Sequence, residues 1–164
     1  SSGEEAYSMA ILLEEEGLLE KAKIYATDMN EHILQQAETG AFTLNKMQTY
    51  TKNYFQAGGK REFSQYYKTD STKAYFNQSL FDHIIFAQHN LVTDGSFNEF
   101  HVIICRNVMI YFDSTLQQKV FQLFDESLCQ NGFLGLGNKE TLRLMDRDQK
   151  YRIFDRSEKI YQKK

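Results

Sequence analysis

The 164-residue chain has no proline, no tryptophan and only two cysteines. The first two absences exclude nothing functional. The cysteines are more informative: Cys105 and Cys129 lack C-x-x-C spacing, so they give no disulfide framework and fit a reducing compartment. No run approaches the ~18 uninterrupted apolar residues that a membrane helix needs. Positive charge is not in excess either, and a formal charge of −3 argues against a strongly basic nucleic-acid binder. Several catalytic signatures are missing. Gly59-Lys60 is not part of a phosphate-binding G-x-x-x-x-G-K-[ST] loop, and no G-x-S-x-G elbow marks a serine hydrolase. His32, His83, His89 and His101 show neither zinc spacing nor cysteine partners.

What is present is an ordinary globular composition, 41% hydrophobic and 25% charged, which argues against disorder. The length suits one domain, and such a chain buries roughly 68–70% of its unfolded surface without needing staples. Residue 1 is not a plausible natural start. Ser1 to Glu5 reads as the end of a glycine-containing loop entering a helix, with capping-box spacing between Ser1 and Glu4 or Ser2 and Glu5. The expectation is that a strand precedes it in a longer protein.

Ala6, Met9, Ala10 and Leu13 form the apolar stripe of that helix. A strand over 23–27 ends at Asp28, and a second helix runs from about Asn30 to a C-cap at Gly40. Residues 41–81 are less regular. Buried strands are predicted at 84–87 and 102–105. A helix capped by Asp113 or Ser114 repeats Leu116, Val120, Phe124 and Leu128 on one face and closes at Asn131-Gly132. A strand follows at 133–137, and the end of the chain reads as a hairpin, 151–154 with 159–161. Strands alternating with helices predict a mostly parallel α/β sheet. The final connection is too short for a helical crossover, so the edge should be antiparallel.

From Tyr50 to Phe76 five Lys or Arg stand against two acids, a local charge of +3, with eight Tyr or Phe. That composition suits either a basic, aromatic docking surface or a small antiparallel subdomain whose aromatics make their own core. In open α/β sheets ligands bind outside the carboxyl ends of the strands. The residues at those ends are Asp28, His89-Asn90-Leu91, Arg106-Asn107 and Gly137-Asn138-Lys139-Glu140. Asp28 lies 25 residues past Gly3, near the spacing at which an acid accepts from ribose hydroxyls; it could equally be the N-cap of the second helix. Glu5 could bind an ammonium group or only favour the helix dipole. Arg106 and Asn107 follow a buried strand as site residues do, though they could simply tie down a turn. Tyr111 stands in the following loop.

Ser-Ser-Gly-Glu-Glu-Ala-Tyr-Ser (1–8), Ala-Thr-Asp-Met-Asn (26–30), His-Asn-Leu (89–91) and above all Cys-Arg-Asn-Val-Met-Ile-Tyr-Phe-Asp (105–113) resemble the CheR-type chemotaxis methyltransferases. The resemblance covers the whole chain and is weakest over residues 42–80. It implies a Rossmann-like class I methyltransferase sheet over 1–164, mostly parallel with an antiparallel C-terminal edge, its first strand absent and a small β-subdomain inserted at about 42–80. It implies S-adenosylmethionine as cofactor, with S-adenosylhomocysteine as product. Glu5 would contact the methionine end, Asp28 the ribose, Asn90 and Leu91 the adenine, and Arg106 and Asn107 the methionine moiety. Tyr111 would be the catalytic residue beside the methyl group and the incoming glutamate, and no metal is implied. The implied partner is the cytoplasmic region of a methyl-accepting chemotaxis receptor, in the cytoplasm, with neither nucleic acid nor membrane insertion involved. Ala6 replaces the family's usual proline, a mild departure at a helix start. The family's N-terminal helical domain, with its catalytic arginine, is not in the sequence. A non-catalytic relative acting as sensor or docking module, and an NAD-dependent oxidoreductase on a related sheet, are the competing expectations.

Overall fold

The computed structural model describes residues 2–142 and 149–164. Its backbone contacts divide into two units, Ser1–His89 and Asn90–Lys164.

In the first unit helix α1 spans Glu4–Glu15. Its buried residues are Tyr7, Ala10 and Ile11, with Ala6 and Leu13 packed at the margin. The apolar face is thus turned by one residue from the stripe that aliphatic spacing alone predicts. Tyr7 is the reason: its ring is 1% exposed and its hydroxyl donates to the Ala37 carbonyl at 2.9 Å, which satisfies the polar end of a buried tyrosine. The predicted capping box does not form from Ser2. Gly3 is the N-cap, without a side-chain cap bond, and Ser2 Oγ donates instead to Glu4 Oε2 at 2.7 Å. The alternative with Ser1 lies outside the described residues.

Strand β1, Ile24–Asp28, leads to helix α2, Glu31–Glu38, which closes before Gly40 at φ 59°. Next come β2, Ala41–Thr43, and α3, Leu44–Gln56, a helix the sequence does not announce. Met47 is its only buried residue, so apolar periodicity is too thin to read there. Strands β3, Tyr67–Thr69, and β4, Lys73–Phe76, complete a three-stranded antiparallel sheet ordered β2-β4-β3. The short helix α4, Gln78–Phe81, precedes β5, Ile84–Gln88. β5 pairs parallel with β1, from Ile24 opposite Ile84 to Asp28 opposite Gln88.

The aromatics of residues 42–76 do not form a core of their own. Phe42, Phe63, Tyr66 and Phe76 belong to the same buried cluster as Tyr7, Ala10, Ile11 and Ile84. Tyr7 stacks on Phe76 at 5.0 Å between centroids and meets Phe42 and Phe81 edge-on. Both ends of α1 add polar ties. Glu4 accepts from Lys46 Nζ at 3.0 Å and Tyr50 Oη at 3.1 Å. Glu15 accepts from the hydroxyls of Tyr54 and Tyr66 and from the Lys60 amide.

In the second unit β6, Phe100–Cys105, pairs parallel with β7, Leu128–Leu136. Helix α5, Ser114–Ser127, joins them, and its N-cap Asp113 accepts from the Leu116 amide. The sequence places the end of this helix at Asn131-Gly132; the helix stops at Ser127 and β7 begins at Leu128. The ladder shows why the reading slips. Phe100 faces Leu128 and Val102 already faces Phe133, so the intervening residues, with Asn131 at φ 63°, leave the register inside the strand. Asn131-Gly132 is therefore an irregularity of β7, and Cys129 lies on a strand. The hairpin β8, Tyr151–Asp155, and β9, Ile160–Lys163, is antiparallel and joins β7 through β9, giving the order β6-β7-β9-β8. Val120, Phe124 and Met109 pack with Leu134 and Leu136 in the core of this unit. The architecture is mixed α/β, with parallel pairs and an antiparallel C-terminal edge, as the sequence predicts. Among the described residues no helix is long and apolar enough to cross a membrane, and no group of His, Cys, Asp or Glu is placed to hold a metal ion.

Candidate functional site

In the first unit Asp28 is the last residue of β1 and is half-buried. The N-cap of α2 is Asn30, whose side chain accepts from the His32 and Ile33 amides. Asp28 does not cap the helix. It sits one step earlier, with Oδ1 accepting from the Asn30 amide at 2.9 Å, and so holds the capping residue in place. Burial pushes its carboxyl up, and the Asn30 and Met29 amides counter this by donating to it. The result is an acceptor fixed at the carboxyl end of a parallel strand.

The chain enters α1 through Gly3 at φ 93°, a left-handed conformation that side chains resist. A Cβ there would also meet the Ala37 methyl at 3.0 Å. Two carboxylates follow with different surroundings. Glu4 is engaged with Ser2, Lys46 and Tyr50, and although burial raises its carboxyl these hydrogen bonds bring it down to about 2. Glu5 is exposed in the first turn, where the helix dipole favours negative charge.

In the second unit Arg106, Asn107 and Tyr111 lie on one loop leaving the carboxyl end of β6. Arg106 and Asn107 are exposed, and Tyr111 is 82% exposed. Its backbone is secured in a 3-10 turn, Met109–Tyr111, and Gln117 Nε2 donates to the carbonyls of Met109 and Phe112. Asn90 builds a turn of its own: its amide donates to Asp94 Oδ2 and its Oδ1 accepts from the Val92 amide. Leu91 is partly buried against the core of this unit.

One residue at a strand end carries more than the sequence suggests. Glu140 is 5% exposed, yet its carboxylate accepts from four amides: Val108 and Met109 on Oε1, Asn107 and Gly137 on Oε2, at 2.7–3.1 Å. The sequence places it beyond the strand end without a role. The available signal was an acid three residues after a glycine in that rim.

In the first unit, a left-handed glycine entering a helix and an acid ending the next parallel strand are the features of a cofactor-binding α/β domain of the nucleotide-binding type. The comparisons make the class specific. The family described as CheR methyltransferase, SAM-binding domain, matches residues 1–159, and the chain belongs to that family. A Pseudomonas putida protein named Cher3 is 45% identical over 163 residues, 99% of this chain and 60% of that protein. Chemotaxis protein methyltransferases of Listeria monocytogenes and Escherichia coli are 30% and 31% identical, covering 87% and 90% of this chain. The chain spans 51% of the length of each of these two. The cofactor of this domain is S-adenosylmethionine. The donor set fits such a group, because Asp28 is an anchored acceptor that the helix cap does not consume.

Proposed function

We propose that this domain serves a protein-glutamate O-methyltransferase acting, in the cytoplasm, on the cytoplasmic region of chemotaxis receptors. The family match and the names of the relatives support the reaction class. The structural observation that carries the reading is Asp28, an anionic acceptor held at the carboxyl end of β1 by the Asn30 amide.

Bound S-adenosylmethionine supplies a methyl group on a cationic sulfonium, an intrinsically good donor. A glutamate carboxylate has a pKa of ~4.3 and is already ionised at neutral pH, so this nucleophile needs no general base. The work left to the protein is alignment, and the residues proposed for it are acceptors, donors and packing groups. Asp28 accepts from the ribose hydroxyls. Glu5, exposed at the start of α1, faces cationic charge at the methionine end. Asn90 and Leu91 border the adenine, and Arg106 and Asn107 bind the methionine moiety. Tyr111 donates a hydrogen bond to the incoming glutamate carboxylate, a role that its exposed ring suits. Residues 42–80 are the inserted docking subdomain. Phe55 and Tyr75 are exposed there, as are Lys52, Lys68 and Lys73, a surface matched to an acidic partner.

The test is incubation of the full-length protein carrying this domain with methyl-labelled S-adenosylmethionine and a receptor cytoplasmic fragment. Base-labile label on the receptor is expected. Cofactor binding without any transfer would instead identify a non-catalytic sensor or docking module.

A further inference from the structure

We propose that Glu140 is a positioning residue that presets the loop carrying Arg106, Asn107 and Tyr111; this rests on the reading that the loop meets the methyl donor and its acceptor.

A carboxylate buried to this degree is costly to desolvate unless hydrogen bonds replace the lost water. Here they do, through two amides on each oxygen. A local turn does not require so much. The hairpin turn after β8 is held by Asp155, which accepts from the Ser157 and Glu158 amides from a solvated position. Glu140 differs in reach. Among the described residues the one donor near it in sequence is the Gly137 amide, and the other three lie 31–33 residues earlier. The carboxylate therefore welds the loop leaving β6 to the turn leaving its parallel neighbour β7. Carboxyl ends of adjacent parallel strands are where open α/β sheets hold their ligands.

Two further features show that the loop conformation is imposed. Asn107 is a non-glycine residue at φ 58°, in the sparsely occupied left-handed region. Beside it, a Cβ on Gly137 would lie 2.7 Å from Asn107 Oδ1, 2.8 Å from Glu140 Oε2 and 2.9 Å from the Asn107 amide nitrogen, so position 137 admits no side chain. Three successive amides, from Asn107 to Met109, converge on one carboxylate while Arg106, Asn107 and Tyr111 remain exposed. The backbone is fixed inward and the functional side chains are offered outward, which is the arrangement that preorganisation requires.

The experiment compares the wild-type full-length protein with Glu140→Gln and Gly137→Ala. Glutamine preserves size, but its NH2 group faces amide donors and only one oxygen can accept. Hydrogen exchange at Asn107, Val108 and Met109 should accelerate by about tenfold or more, and the Kd for S-adenosylhomocysteine should rise by about tenfold. Gly137→Ala keeps the carboxylate and should change both readouts in the same direction, which covers the case in which Glu140→Gln does not fold. Unchanged exchange would show that the clamp does not hold the loop. Faster exchange with unchanged affinity would show a clamp without a positioning role. Either result overturns the proposal. If the wild type fails to bind S-adenosylhomocysteine, the functional reading falls and with it the positioning role, while the exchange data still report on the clamp.

Discussion

Replacing Asp28 by asparagine separates its proposed role from its structural one. Asparagine keeps an oxygen that can accept from the Asn30 amide, now 2.9 Å from Oδ1, so the turn feeding the cap of α2 survives. The charge is lost, and one of the two acceptor oxygens becomes an NH2 donor. Hydrogen bonds to a charged group contribute about 1.5–3 kcal/mol against about 0.5–1.5 for neutral pairs, so each ribose hydroxyl should lose about 1–1.5 kcal/mol. Two hydroxyls give about 2–3 kcal/mol, a rise in Kd of roughly 30–150-fold. Titration calorimetry with S-adenosylhomocysteine on the full-length protein measures this directly, and thermal melting checks that folding is preserved. An Asp28→Asn protein that binds within twofold of wild type would refute the ribose assignment.

Tyr111→Phe should lower turnover on a receptor fragment while leaving S-adenosylhomocysteine affinity within about twofold, since one hydrogen bond to the acceptor is lost; unchanged turnover would reject that role. Tyr7→Phe should cost only about 0.5–1.5 kcal/mol in urea unfolding, because the Ala37 carbonyl keeps the Gly40 amide, whereas Tyr7→Ala should cost about 3–5 kcal/mol by emptying the centre of an aromatic cluster. Glu4, with its carboxyl near 2 in the folded state, contributes stability that is present above its unfolded value of ~4.3 and is lost as pH falls toward 2. Glu4→Gln should therefore flatten the acid limb of the unfolding midpoint against pH, while leaving the limb above pH ~6 parallel to wild type.

The parts of the fold legible in the sequence are those written in local pattern. The loop-to-helix entry at Gly3, the strand ending at Asp28 and the antiparallel hairpin at the edge follow from spacing and turn chemistry; the apolar runs of β5 and β6 are strands as predicted, but Ile85, Val102 and Ile104 are exposed rather than buried. The misread parts depend on contacts distant in sequence. The face of α1 is set by Tyr7, whose hydroxyl is satisfied 30 residues away at Ala37. Helix α3 buries only Met47 and is tied to α1 through Glu4 and its partners Lys46 and Tyr50. The start of β7 is hidden by the register break opposite β6. At the site the same division holds. Asp28 could be picked out by its place after a strand, but only the backbone shows that Asn30 performs the capping. Glu140 could not be given a role, because three of its four partners belong to another strand's loop.

The central claim is best tested on the acceptor itself, by mass spectrometry of a receptor cytoplasmic fragment after reaction with the full-length protein and S-adenosylmethionine. The account predicts peptides heavier by one methylene, with the added mass on glutamate side chains and removed by mild base. Modification confined to other residue types, or mass that survives base, would contradict it.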